Sequence, residues 1–137
     1  MSELLELEPN KPHPAINTDD IFGWELILDI YQCNPTKVRS IDEIVAFIKK
    51  LCSEVLDIKL HGETWAEWFG QHRPVNTGYT VVQLVETSSV IAHFSELKNS
   101  VYLEIFSCKP YDPAVVSNFC RDFFEAEKVV EHFLERR

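Results

Sequence analysis

Residues 28–35 read LDIYQCNP, and residues 103–110 read LEIFSCKP. The two segments match position for position in residue type. Each is an apolar strand pattern, then a cysteine, then a proline, and each precedes an amphipathic helix pattern. After the first copy, Ser40 and Glu43 have capping-box spacing. Ile41, Ile44, Val45, Ile48, Leu51, Cys52 and Val55 then form a stripe at helical period. After the second copy, Asp112 is placed as N-cap with Pro113 at the first helical position. Val115, Val116, Phe119, Cys120, Phe123 and Phe124 give that helix its apolar stripe. A duplicated strand-to-helix unit with hairpins between the copies predicts an α+β fold. It is a two-layer sandwich, an antiparallel sheet with the helices on one face. The opposite sheet face is then solvated or covered by a partner.

Outward from these copies, residues 1–19 carry three prolines and no apolar period, and read as a flexible N-terminal arm. Residues 20–137 read as a single domain, a length sufficient for its own core. Strands are predicted from Trp24 to Tyr31, Gly78 to Glu86, Ser88 to Phe94, Val101 to Phe106, and Lys128 to Leu134. Asn34-Pro35 ends the first strand, and the first helix is expected to open at Ser40. Ile58 to His61 reads as a short strand, and Thr64 to Phe69 as a helical turn or a loop. Trp65, Trp68 and Phe69 pack against the core or an interface, or line a ligand pocket.

Hydrophobic residues make up 45% of the chain, which places it among globular proteins. A net charge of -9 argues against a nucleic-acid backbone or an anionic membrane as partner. No apolar run reaches the roughly 18 residues of a membrane span. The acidic first residues lack the basic and apolar regions of a signal peptide, so a cytoplasmic protein with free thiols is expected. Its four cysteines include no C-x-x-C pair, and no spacing of His61 or His72 supports a metal site.

Chemistry concentrates between Thr80 and Cys108, where a hydroxyl cluster, an imidazole and a thiol sit at strand ends. Ser88 as a hydroxyl nucleophile needs a base, and His93 is the nearest imidazole in sequence. Five residues along one strand put them on opposite faces, so a bulge or bend would be needed to join them. No G-x-S-x-G elbow is present. Cys108 ends a strand beside Lys109, which favours thiolate, or else it is a buried strand-end cysteine like its mate Cys33. A third reading has the hydroxyls of Thr87, Ser88 and Ser89 at a tight bend acting on the backbone itself. The serine attacks the preceding carbonyl, and elimination from the resulting ester breaks the chain.

The spacing resembles that of the bacterial and archaeal S-adenosylmethionine decarboxylase proenzymes, which are pyruvoyl-dependent. In that family a serine is followed five residues later by a histidine and fifteen residues after that by a cysteine; Ser88, His93 and Cys108 keep both intervals. Thr80 occupies the place of a small hydroxyl residue eight positions before the serine, with Gly78 just upstream, and the segment ending Tyr31-Gln-Cys-Asn-Pro resembles the family's opening motif. The resemblance implies cleavage between Thr87 and Ser88, with Ser88 converted to a covalent pyruvoyl group that takes the substrate amine as a Schiff base. It implies that His93 takes the proton that drives elimination, that Thr80 holds the processing intermediate, and that Cys108 returns a proton to the substrate carbon. It further implies a homodimer, the substrate S-adenosylmethionine, and a place in polyamine (spermidine) biosynthesis. Two differences stand out. Thr87 replaces the family's usual glutamate before the cleaved serine. Phe94-Ser-Glu-Leu replaces a Thr-Trp-Pro-Glu run in which the tryptophan helps hold the adenine. Phe94, Trp65 or Trp68 would then supply a stacking ring, and Glu96 would hold a ribose or an amine. Two alternatives stay open: a pyruvoyl-dependent arginine or ornithine decarboxylase, and an unprocessed non-catalytic homologue acting as a binding or regulatory subunit.

Overall fold

The computed structural model describes residues 8–11 and 20–137; apart from 8–11, the expected N-terminal arm lies outside the described residues. Six strands form one sheet: β1 (Gly23–Tyr31), β2 (Leu60–Phe69), β3 (Gly78–Val85), β4 (Ser88–Ser95), β5 (Ser100–Ser107) and β6 (Lys128–Arg136). Their order across the sheet is β2-β3-β4-β5-β1-β6, and every neighbouring pair is antiparallel. The two echoing segments lie side by side, with Leu28 of β1 directly opposite Leu103 of β5. The duplication is therefore also a local two-fold relation between the neighbouring antiparallel strands β1 and β5.

Each copy leads into helix as its sequence dictates. Asn34 caps α1 (Pro35–Arg39), its side-chain oxygen accepting from the Thr36 N–H at 2.9 Å, and the proline sits where a missing N–H is harmless. This single turn precedes the expected helix, because Asn34-Pro35 is a helix-start signal as well as a strand stop. Ser40 then caps α2 (Ile41–Lys50), accepting from the Glu43 N–H at 3.3 Å, and a π-helical turn (Leu51–Val55) continues it. In the second copy Asp112 caps α3 (Pro113–Phe124), accepting from the Ala114 N–H at 2.9 Å.

Alternation along the strands decides which side is core. Leu26, Leu28 and Ile30 of β1, Val90, Ala92 and Phe94 of β4, and Val101, Leu103 and Ile105 of β5 are all buried. They share one core with Ile44, Phe47, Ile48, Leu51, Cys52, Val116, Cys120 and Phe124 of the helices. Phe47 sits at its centre, its ring centroid 4.6 Å from Phe124 and 5.3 Å from Phe123. It was absent from the expected stripe, whereas Ile41 and Val115, in the first turns of their helices, are exposed. The apolar stripes meet the sheet only from the second turn onward.

The segment from Thr64 to Phe69 corrects the sequence reading. It is neither helical turn nor loop but the end of the edge strand β2, which begins at Leu60 and bulges between His61 and Trp65. Gly62 takes a left-handed φ of +76° in the bulge. The buried side chain of Gln83 holds it there: Thr64 Oγ1 donates to Gln83 Oε1 at 2.6 Å, and Gln83 Nε2 donates to the Gly62 carbonyl at 3.3 Å. The far face of the sheet has no helix over it among the described residues. It carries Ile27, Trp65, Val82, Leu84, Ile91, Phe106 and Leu134, of which Trp65 is 68% exposed. No helix among the described residues is long and apolar enough to cross a membrane.

Candidate active site

Glu86 and Thr87 form a two-residue turn between β3 and β4, closed by the Val85–Ser88 pair. The Glu86 N–H donates to the Lys59 carbonyl at 3.2 Å, which ties the turn to the chain entering β2. Thr87 has φ +54°, in the left-handed region, and Glu86 does not. A β-branched residue is a poor occupant of that region, at a cost of about 1–2 kcal/mol. The turn also lacks the second positive φ that suits a twisted two-residue hairpin. Strain is therefore held next to the Thr87–Ser88 peptide bond.

Ser88 opens β4 with a half-buried side chain whose Oγ donates to Ser107 Oγ at 3.0 Å and accepts from the Cys108 N–H at 3.2 Å. A hydroxyl has one proton and two lone pairs. One lone pair of Ser88 is thus left over from these bonds. Cys108 is half-buried, the one cysteine of four that is not fully buried. Burial pushes the Cys33 thiol up to about 12 and the Cys52 thiol to about 11. The Cys120 thiol is raised by burial first and by Cys33 second. The neighbouring Lys109 ammonium is engaged elsewhere, donating to the Asp57 carbonyl at 2.7 Å and pairing with its carboxylate at 3.6 Å.

The other sequence-predicted residues gather at the opposite end of the same hairpin. Thr80 of β3 faces His93 of β4, with Thr80 Oγ1 3.1 Å from His93 Nδ1. Both line a cleft of about 760 Å³ whose walls include Phe69, His72, Tyr79 and Tyr102. Gly78 enters this region at φ +148°, and a Cβ there would run into the Phe94 carbonyl oxygen. Trp68 and Glu96 meet each other, the indole Nε1 donating to Glu96 Oε2 at 2.6 Å. Trp65 stands out on the open sheet face. Phe94 forms part of the cleft wall, yet its ring is buried and packs edge-on against Phe124 at 5.9 Å. The available rings at the cleft are Phe69, Tyr79 and Tyr102. Tyr102 was not singled out from the sequence, although it is the strand partner of His93.

β4 runs unbroken from Ser88 to Ser95, without a bulge. Ser88 and His93 therefore stand on opposite faces, separated by roughly 16 Å at the usual rise of a strand. One chain brings Ser88 to Ser107 and Cys108, and Thr80 to His93, but keeps the two groups apart.

The S-adenosylmethionine decarboxylase family model matches residues 24–137 of this chain. The chain belongs to that family. Among its relatives are the S-adenosylmethionine decarboxylase proenzymes of two Clostridium botulinum type A strains, each 22% identical over 108 residues, covering 78% of this chain and 87% of theirs. The fold is also that of the crystal structure of the adenosylmethionine decarboxylase from Aquifex aeolicus VF5. That match has a TM-score of 0.70 and 13% identity, covering 85% of this chain and 91% of the other. The α+β sandwich expected from the duplicated unit is thus a decarboxylase-family fold, and the matched region contains both the Ser88 turn and the Thr80–His93 cleft.

Proposed function

We propose that the chain is a self-cleaving, pyruvoyl-dependent S-adenosylmethionine decarboxylase, serving polyamine synthesis in the cytoplasm and active as a homodimer. The observation that carries this is the turn at Thr87-Ser88, where a left-handed threonine precedes a hydroxyl already held by two hydrogen bonds. Family membership supports the same reading.

The residues present fit the formation of a pyruvoyl group. Ser88 Oγ attacks the Thr87 carbonyl carbon, the peptide C–N bond breaks, and the hydroxyl proton ends on the Ser88 nitrogen. The product is an ester, and breaking that amide releases the strain at Thr87. A base then removes the Ser88 Cα proton, the Cβ–Oγ bond breaks, and Thr87 leaves as the carboxylate end of the first fragment. Loss of ammonia by hydrolysis leaves a ketone at the start of the second fragment. That ketone supplies an electron sink for loss of carbon dioxide from the substrate.

His93 is the base in this scheme, with Thr80 holding its Nδ1 side. Its distance from the Ser88 of its own chain is what favours a second copy. Two sheets packed through their open faces in opposite directions set the His93 end of one chain against the Ser88 end of the other. Trp65, Val82, Ile91 and Phe106 are the residues such packing removes from water. In the mature site Cys108 returns a proton to the substrate carbon. The rings of Phe69, Tyr79 and Tyr102 suit an adenine and a sulfonium cation.

The intact mass of the purified full-length chain tests the reading. Two fragments splitting before residue 88, with the second lacking a free amine, are expected, and Ser88→Ala leaves one uncut chain. A wild-type chain that stays whole under all conditions sinks the enzyme reading and leaves a non-catalytic binding homologue. A cut chain that releases carbon dioxide from arginine or ornithine, and not from S-adenosylmethionine, moves the substrate to a basic amino acid.

A further inference from the structure

We infer that Ser107 is the positioning residue that aims the Ser88 hydroxyl for attack on the Thr87 carbonyl. The inference rests on the self-cleavage proposed above. Ser107 continues a row of β5, Val101, Leu103 and Ile105, that is otherwise apolar, and it is itself fully buried. A hydroxyl in such a place is costly unless its bonding capacity is met. Here it is met in full. Ser107 Oγ donates to the Lys109 carbonyl at 3.0 Å, accepts from the Lys109 N–H at 3.0 Å, and accepts from the Ser88 hydroxyl at 3.0 Å.

That saturation fixes the direction of the bond between the two serines. The single proton of Ser107 is committed to Lys109, so Ser88 is the donor. Its proton points at Ser107, while the Cys108 N–H occupies one of its lone pairs. The rotor of Ser88 is frozen, and the lone pair left over is the nucleophilic one. Strand pairing enforces the arrangement, because Ser88 and Ser107 are register partners across β4 and β5. Ser107 takes no net proton and touches no substrate; its role is to orient. A turn-closing role alone would be satisfied by the two bonds to Lys109 and would not need Ser88.

The test is a pulse-chase of full-length chains made in cell-free synthesis, following cleavage by gel and mass. Ser107→Ala is expected to slow cleavage by roughly tenfold to a hundredfold, as loss of attack geometry does, while the uncut chain keeps wild-type circular dichroism. Ser107→Thr, which keeps the hydroxyl, is expected to restore most of the rate. Ser107→Cys, close in size but a weak acceptor, is expected to behave like Ala, and carries the test if Ala does not fold. Hydroxylamine separates the steps because it cuts an accumulated ester. His93→Ala chains are expected to be cut by it and Ser107→Ala chains are not. Wild-type cleavage rates in folded Ala and Cys variants overturn the role of Ser107 and leave the decarboxylase reading standing. So does an ester accumulating in the Ser107→Ala chain to the level of the His93→Ala chain. A wild-type chain that never cleaves overturns both.

Discussion

At Thr87 the backbone adopts a conformation its side chain disfavours, and the neighbouring hydroxyl is held still. If that strain is stored in the uncut turn, removing it without cleavage stabilises the chain. In a Ser88→Ala background, Thr87→Gly is expected to raise unfolding stability by about 1 kcal/mol, read from urea denaturation. No gain in the midpoint removes strain from the account of the turn. The thiols give a second residue-scale expectation. A thiol raised to about 11 or 12 is almost wholly protonated at pH 8, and thiolate is the reactive form. Cys33, Cys52 and Cys120 should therefore resist iodoacetamide in the folded protein, and one equivalent should react, at Cys108. Peptide mapping after brief labelling checks this. Cys108→Ala is expected to leave cleavage intact and to lower turnover by about a hundredfold or more; unchanged turnover removes Cys108 from the chemistry.

At the scale of elements, the helices hold the sheet through a small aromatic cluster. Phe47→Ala, measured in the uncut Ser88→Ala chain, is expected to cost about 3–5 kcal/mol, because its ring lies among Phe119, Phe123 and Phe124 with no exposure. A loss under 1 kcal/mol, by the same denaturation assay, contradicts the packing described. Elements were legible in the sequence wherever period and punctuation agreed. The copies at 28–35 and 103–110, the caps at Ser40 and Asp112, and the alternation of β3 to β5 are local signals, and they gave the sandwich. β2 was not legible, because its pattern is interrupted by the bulge at Gly62, and the residue that holds that bulge, Gln83, lies in another strand. Phe47 was missed although it stands three residues after Ile44 and four before Leu51, because the stripe drawn through Val45 and Ile48 already looked complete. For the candidate site, intervals of five and fifteen singled out Ser88, His93 and Cys108 as candidates, and alternation put Ser88 and His93 on opposite faces, as the unbroken register of β4 does. What spacing does not carry is cross-strand partnership, which is how Ser107 and Tyr102 escaped notice.

The structure sets the Ser88 turn and the Thr80–His93 cleft at opposite ends of one hairpin, and the described residues leave a helix-free sheet face on which apolar side chains alternate with Glu25, Glu67, Glu104 and His132. Complementation tests whether copies share the work. Co-expressed Ser88→Ala and His93→Ala chains, each uncut alone, are expected to yield cleavage of the His93→Ala chain only, since it keeps the serine and borrows the imidazole. Tagged chains resolved by mass make the assignment. No cleavage in the mixture, with both chains folded and associated, places His93 outside the shared site. The unbroken run of β4 has one more consequence. If Ser88 and His93 act as proposed, their places at opposite ends of one strand make maturation second order in chain. Newly made protein below the dissociation constant of the dimer would persist as an inert precursor, and its half-life would shorten as copies accumulate. Dilution then becomes an off-switch for activation, and the abundance of the chain sets how quickly it arms itself.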